Sequence, residues 1–195
     1  MTEEKKETRA KRTVPLSSGE VQFLNPQNIV AGLEMRLGMK VAHFGCGTGY
    51  FTFPIAARIG ETGKIWALDI LDYKIDMIRA QAKNLGLRNV IEKKVNLEEK
   101  DGSTLEEASA DWVIMVNVLY QNDKKSRILG EAKRILKEDG HILLIDWKNS
   151  HNSFGPEMGT RIAHEDLIKL VRKNGLGIKK ELDINKFYFG MILGK

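Results

Sequence analysis

The stretch KVAHFGCGTGYFTF, residues 40–53, moves from apolar residues into three glycines at alternate positions, Gly45, Gly47 and Gly49, and then into residues at helical spacing. Glycine reaches backbone conformations closed to other residues and leaves no side chain in the way. A strand, a glycine turn and a helix in succession therefore let a ligand pack on bare main chain at a helix N-terminus, where N–H groups are unpaired. A nucleotide-like cofactor fits that setting. The spacing speaks against NAD and FAD: a dinucleotide fingerprint reads G-x-G-x-x-G, whereas the sixth position from Gly45 is Tyr50 and the third glycine comes one residue early, at Gly49. The competing reading is a turn whose glycines only let the helix lie close to the strand.

On either side of this turn the pattern alternates. Asn25 before Pro26 is an N-cap signal, with Ile29, Val30, Leu33 and Leu37 at helical spacing behind it. Strands are predicted at 40–44, 64–70, 89–95, 111–118 and 141–147. Helices are predicted in the stretch closing on Gly60, over 72–85 with Asp72 as cap and Gly86 beyond, over 123–140 closing on Gly140, and near 163–174. The run DWVIMVNV, 111–118, is nearly all apolar, as in a strand covered on both faces. GIKKELDI (177–184) and KFYFGMIL (186–193), joined around Asn185 and Lys186, read as an antiparallel hairpin. Strand–helix repeats ending in a hairpin make an α/β, doubly wound sheet, whose ligand crevice lies at the carboxyl ends of the strands beside the glycine turn.

With 195 residues and 42% hydrophobic content the chain fills one substantial core, so a single domain over 14–195 is expected, preceded by a charged tail over 1–13 (MTEEKKETRAKRT). Cys46 is the only cysteine, so no disulfide framework forms within one chain, and a reducing, cytoplasmic setting is expected. No apolar run reaches the roughly 20 residues of a membrane span, and the amino terminus lacks the apolar core of a signal peptide. The net charge of +5 suits an anionic partner, yet the lysines are spread along the chain, so charge alone does not favour a nucleic-acid binder. No metal site is expected, because acids and histidines show no ligand spacing. The sequence leaves the oligomeric state open.

Asp69 follows Gly49 by twenty positions, at the end of the second strand, where a carboxylate accepts from both hydroxyls of a ribose; its plainer role is a helix cap. VAHFGCGTGYF, ALDI, DWVIMVNVLYQ and EAKRILKEDGHILLIDW, in that order, resemble the successive motifs of class I S-adenosylmethionine-dependent methyltransferases, the small-molecule branch that includes the ubiquinone/menaquinone-biosynthesis enzymes. The resemblance covers about residues 25–195. It implies a Rossmann-like seven-stranded sheet of order 3-2-1-4-5-7-6, S-adenosyl-L-methionine as cofactor, and methyl transfer as the reaction. Carried onto this chain, it implies cofactor contacts from His43, Gly45, Cys46, Gly47 and Gly49 in the first loop, from Asp69 to the ribose with Ile70 beside it, from Asn96 and Leu97 to adenine, and from Asn117, with Val118 and Leu119, at the methyl-transfer region. Members of the family usually carry an acid at position 43 and commonly an Asp at 96. A protonated His43 would repel a sulfonium, so His43 is expected to be neutral; a histidine that simply fills the strand end is the alternative.

A sulfonium is already an activated methyl donor, so alignment and exclusion of water supply much of the catalysis and a general base is optional. The catalytic residue is not identified by sequence; Asp146, His151 and Tyr188 are the weak candidates near the crevice. NVLY, 117–120, lacks the two prolines of nucleic-acid amine methyltransferases, and a lone cysteine does not support arsenite or pyrimidine-C5 methylation. A small-molecule acceptor is favoured, selected by residues 147–162, where Trp147, Phe154 and Met158 either wall an apolar pocket or simply tuck onto the sheet edge of a solvent-covered connection. Two alternatives stand beside it: a cofactor-binding scaffold without activity, and an RNA methyltransferase.

Overall fold

The computed structural model describes residues 24–149 and 155–195; the tail over 1–13, His151 and Phe154 lie outside the described residues. The elements run α1 (Pro26–Ala31), β1 (Lys40–Phe44), α2 (Thr52–Ile59), β2 (Lys64–Asp69), α3 (Asp72–Asn84), β3 (Val90–Lys94), β4 (Ala110–Val116), α4 (Lys125–Ile135), β5 (Leu136–Trp147), α5 (His164–Lys173), β6 (Gly177–Asp183) and β7 (Tyr188–Gly194). Short 3-10 turns at Leu119–Gln121 and Met158–Thr160 complete them. The strands form one sheet in the order β3-β2-β1-β4-β5-β7-β6. The first five are parallel, and β7 runs antiparallel to both β5 and β6, as expected from the terminal hairpin.

Alternation along the strands divides the core in two. Ala42, Phe44, Val113, Met115, Ile142 and Leu144 face one way and pack with Ile128 and Leu129 of α4 and Leu167 and Val171 of α5. Val41, Ile65, Ile114 and Ile145 face the other way, onto Ile55 and Ile59 of α2 and Ile75 and Ile78 of α3. With both faces covered, β4 and β5 need the near-continuous apolar sequence they have. Beyond β3 the chain returns to lay β4 beside β1, so the strand order reverses between β1 and β4. That switch point opens a crevice at the carboxyl ends of these strands.

Capping follows the sequence at two sites. Asn25 Oδ1 accepts from Asn28 N at 3.0 Å, and Gly60 closes α2 with φ 66°. Three expectations fail. The first helix stops at Ala31 with Gly32 as its cap, so Leu33 and Leu37 lie beyond it and Leu37 is exposed. The helix expected over 123–140 ends at Ile135, and Leu136 already pairs with Ala110 in the sheet. The next pair is Trp112 with His141, so β4 advances by two residues while β5 advances by five, and the three extra residues bulge out. Gly140 serves that bulge, for a Cβ there would come within 2.8 Å of the Leu136 side chain. Asp72 is likewise not the cap of α3: Leu71 holds that position without a side-chain cap, and Asp72 pairs with Lys94 at 2.6 Å.

Candidate functional site

The three glycines of the first loop all have left-handed φ, at 64°, 55° and 89° for Gly45, Gly47 and Gly49, but their surroundings differ. A Cβ on Gly49 would meet Phe53 at 2.2 Å and Ile78 at 2.8 Å, so this glycine is required by close packing of α2 and α3. A Cβ on Gly45 would meet Val118 at 2.9 Å, whereas one on Gly47 would have nothing within 4 Å. The packing reading therefore holds for Gly49, while Gly47 presents bare backbone to open space. Cys46 N donates to Leu68 O at 2.9 Å, tying the loop to β2. The Cys46 thiol is buried, and burial, reinforced by the charge of Asp69, pushes it up to about 12, which leaves it a poor nucleophile.

Asp69 is 5% exposed. Its Oδ2 accepts from Gly47 N at 3.0 Å and its Oδ1 from Leu71 N at 3.1 Å. The carboxylate thus fixes the glycine loop and the entry to α3, and it also lines a cleft of about 190 Å³ together with Gly45, Ile70, Lys74, Asn96, Leu97 and Val118. Gln121 and Asn122 complete its far wall. Five of the expected cofactor residues, Gly45, Asp69, Ile70, Asn96 and Leu97, come together here from three separate places in the chain. Asn96 is partly engaged already, since its Oδ1 accepts from Glu98 N at 3.0 Å. His43, Cys46, Gly47, Gly49 and Asn117 are not among the residues that line it.

His43 is buried below the loop, its Nδ1 2.8 Å from Thr52 Oγ1 and its ring edge-on to Phe51. Burial lowers its pKa to about 4 against the opposing charge of Asp69, so the ring is neutral at physiological pH. Asn117 follows β4 directly with φ 58°, a conformation that Asn tolerates better than most residues. Its N–H donates to Ile145 O at 2.8 Å, its carbonyl accepts from Gln121 Nε2 at 2.5 Å, and its side-chain Oδ1 is buried without a partner.

Of the catalytic candidates, Asp146 is 2% exposed and accepts from Trp147 N at 2.9 Å and Tyr120 N at 3.2 Å, securing the 3-10 turn at Leu119–Gln121. Burial raises it to about 6, and these backbone N–H groups oppose the shift. Tyr188 packs against Trp147 with ring centroids 4.3 Å apart and the planes tilted by 39°. Burial raises its hydroxyl to about 12, with the Asn117 side chain opposing, so it stays protonated. Beyond β5 lies a groove of about 770 Å³ between α5 and the ends of β6 and β7, lined by Glu165, Asp166, Glu181 and Asp183 with Lys148. Trp147 and Met158 do not line it, so it is not the apolar pocket expected of residues 147–162. Sequence reasoning also passed over Lys74, whose neighbour across the cleft is known only once β2 and α3 are in place. Among the described residues there is no cluster of His, Cys, Asp or Glu able to hold a metal, and no helix is long and apolar enough to cross a membrane.

A seven-stranded sheet of this order, with a glycine turn after its first strand and an acid closing its second, defines the class I methyltransferase fold. The chain belongs to the methyltransferase-domain family, whose model matches residues 36–186, and the cofactor that goes with this family and fold is S-adenosylmethionine. It is similar to a demethylmenaquinone methyltransferase of Lactococcus lactis, 27% identical over 113 residues that make up 56% of this chain and 42% of that protein. It is also similar to a ubiquinone/menaquinone biosynthesis C-methyltransferase of Cupriavidus taiwanensis, 25% identical over 80% of this chain and 74% of the other. The chain spans only 33% to 42% of the length of the first four curated relatives. In fold it resembles a SAM-dependent methyltransferase from Aquifex aeolicus, with a TM-score of 0.80 and 22% identity over 87% of this chain and 89% of that one. It also resembles the [4+2]-cyclase SpnF, with a TM-score of 0.74 and 15% identity over 87% and 80%.

Proposed function

We propose that this protein is a cytosolic enzyme transferring a methyl group from S-adenosylmethionine to a small-molecule acceptor. The observation that carries the reading is the carboxylate of Asp69, turned into a cleft at the switch point beside the open backbone of Gly47. An ionised carboxylate offers about four acceptor positions, and the N–H groups of Gly47 and Leu71 use two, so the donor set still fits the two hydroxyls of a ribose. The cleft is smaller than the roughly 300–1,000 Å³ of sites that enclose a drug-sized ligand, which suits the nucleoside part of the cofactor rather than the whole of it. Ile70 and Leu97 supply apolar surface for a base, and Asn96 retains a second lone pair on its amide oxygen for an exocyclic amine.

When bound, the cofactor supplies an activated methyl group on sulfonium sulfur. What this chain contributes is position and dryness. Neutral His43 adds no like charge beneath the loop. Asp146 is engaged by backbone N–H groups and Tyr188 remains a donor, so an acceptor that attacks as a neutral nucleophile is favoured over one that must first lose a proton.

The rival reading, a scaffold that keeps the fold without methyl transfer, draws support from the cyclase that shares this fold. Titration calorimetry with S-adenosylmethionine and S-adenosylhomocysteine tests the cofactor binding that the enzyme needs: the enzyme binds both near physiological concentration, and a chain that binds neither is not the proposed enzyme, while a chain that binds both yet forms no S-adenosylhomocysteine with any small-molecule acceptor offered is the scaffold. An RNA substrate would instead show binding that falls steeply with added salt.

A further inference from the structure

Among the described residues that line the cleft, only Asp69 and Lys74 carry formal charge. Lys74 Nζ lies 3.7 Å from Asp69 Oδ2, and the lysine is the more accessible partner, 26% exposed against 6%. Oδ2 is also the oxygen that accepts from Gly47 N, while Oδ1 accepts from Leu71 N. One acceptor position therefore remains on each oxygen, and the one on Oδ2 faces an ammonium. The pair is local, because Lys74 stands in the first turn of α3 and Asp69 ends β2.

We propose that Lys74 is an internal competitor at the ribose position: its ammonium must leave Asp69 Oδ2 before a nucleoside diol can take both oxygens, and its charge disfavours a sulfonium ligand relative to the neutral thioether product. This rests on the reading of Asp69 as the ribose ligand. Lysine is suited to the part, since a long, unbranched and partly exposed side chain swings away without disturbing the core. What is lost on displacement is one long ion pair, 3.7 Å, between a buried carboxylate and a partly exposed ammonium, and the carboxylate keeps its bonds from Gly47 N and Leu71 N. The electrostatic part follows from the lining. One carboxylate and one ammonium leave the cleft without net formal charge, so nothing there strongly favours a cation, and a displaced ammonium still acts across a few ångströms of partly desolvated space. Lys74 thereby sets how well the protein tells methyl donor from demethylated product.

The test is calorimetry of the full chain with adenosine, S-adenosylhomocysteine and S-adenosylmethionine, comparing wild type with Lys74→Met and Lys74→Arg. Lys74→Met is expected to tighten adenosine and S-adenosylhomocysteine by roughly two- to fivefold, the equivalent of one partly exposed ion pair, and S-adenosylmethionine by more. Lys74→Arg keeps the cation and should stay within about twofold of wild type. Weaker binding of all three ligands to Lys74→Met would make Lys74 a ligand rather than a competitor and overturn the proposal. Unchanged affinities, or a gain shared equally by the arginine variant, would overturn it as well. If none of the three ligands binds wild type or variant, the cofactor assignment itself falls and takes this inference with it, an outcome distinct from binding that ignores Lys74.

Discussion

Ser103, in the loop between β3 and β4, is bound to Glu131 of α4 through both its backbone N–H, at 2.9 Å, and its hydroxyl, and the two residues are buried together. Arg134 completes the contact, donating to Glu131 from Nε and Nη2 at 2.8 Å each and to Leu105 O at 2.7 Å. The same loop carries Asn96 and Leu97 into the cleft wall, so Glu131 holds the loop that enters the site without itself lining the cleft. Replacing Glu131 with Ala strands several buried donors and should cost about 2–4 kcal/mol in urea unfolding. Burial alone would raise the Glu131 pKa; the hydrogen bonds from Arg134 and Ser103 outweigh it and hold the carboxyl below its usual range. Its stabilisation is therefore complete above the ordinary carboxylate pKa and is lost as pH falls through the lowered one, a slope that the Ala variant should lack.

His43 and Asp146 should oppose one another in acid. His43 is lowered from 6.5 to about 4, so the unfolded chain binds a proton that the folded chain refuses, and stability drops as pH falls across that window. Asp146 is raised from 3.8 to about 6, so the folded chain binds the proton first and stability rises as pH falls. Each shift corresponds to roughly 3 kcal/mol, and the two nearly cancel between pH 4 and 6. Urea melts of Asp146→Asn over this range should expose the His43 slope, with stability declining steeply on acidification. A variant as flat as wild type would contradict a buried, neutral His43.

The alternation of strands and helices, the glycine turn and Asp69 at the end of β2 were legible in the sequence as local signals, whereas the sheet order and the places of Ile70, Asn96 and Leu97 were legible only through the family resemblance. Glu131 and Lys74 were legible in neither way. A glutamate inside an amphipathic helix reads as solvent-facing, and nothing in EAKRILKEDG shows that its partner lies 28 residues upstream. The same stretch misplaced the end of α4, since Leu136 to Gly140 continue helical spacing while the sheet captures Leu136 against Ala110. Tertiary pairing overrides local propensity there. Asp146 illustrates the converse: named from the sequence as a weak catalytic candidate, it accepts from the backbone N–H groups of Tyr120 and Trp147.

Asp69 has two duties, and variants should divide them. Asp69→Asn keeps one acceptor oxygen for the backbone of Gly47 or Leu71 but loses the charge, so it should lower affinity for S-adenosylhomocysteine by roughly ten- to a hundredfold with a modest change in Tm. Asp69→Ala removes both loop contacts and should lower Tm as well. Affinity unchanged in the Asn variant would remove the ribose role.

Gly47 and Gly49 give the sharpest contrast, because both have positive φ but only one has neighbours. Gly49→Ala forces a methyl to 2.2 Å from Phe53 Cε2 at φ 89°, where an L side chain is strained in any case, so it should unfold at lower denaturant concentration by several kcal/mol and lose binding only as a consequence. Gly47→Ala at φ 55° meets nothing within 4 Å and should cost only about 1–2 kcal/mol, the left-handed penalty alone. Its methyl stands over the backbone whose N–H reaches Asp69, in the space assigned to the cofactor. A folded Gly47→Ala protein should therefore show near-native melting with calorimetric affinity for S-adenosylhomocysteine reduced tenfold or more, about 1.4 kcal/mol. Full affinity in that variant would mean that no ligand approaches the loop, and the site would have to lie elsewhere on the carboxyl edge of the sheet.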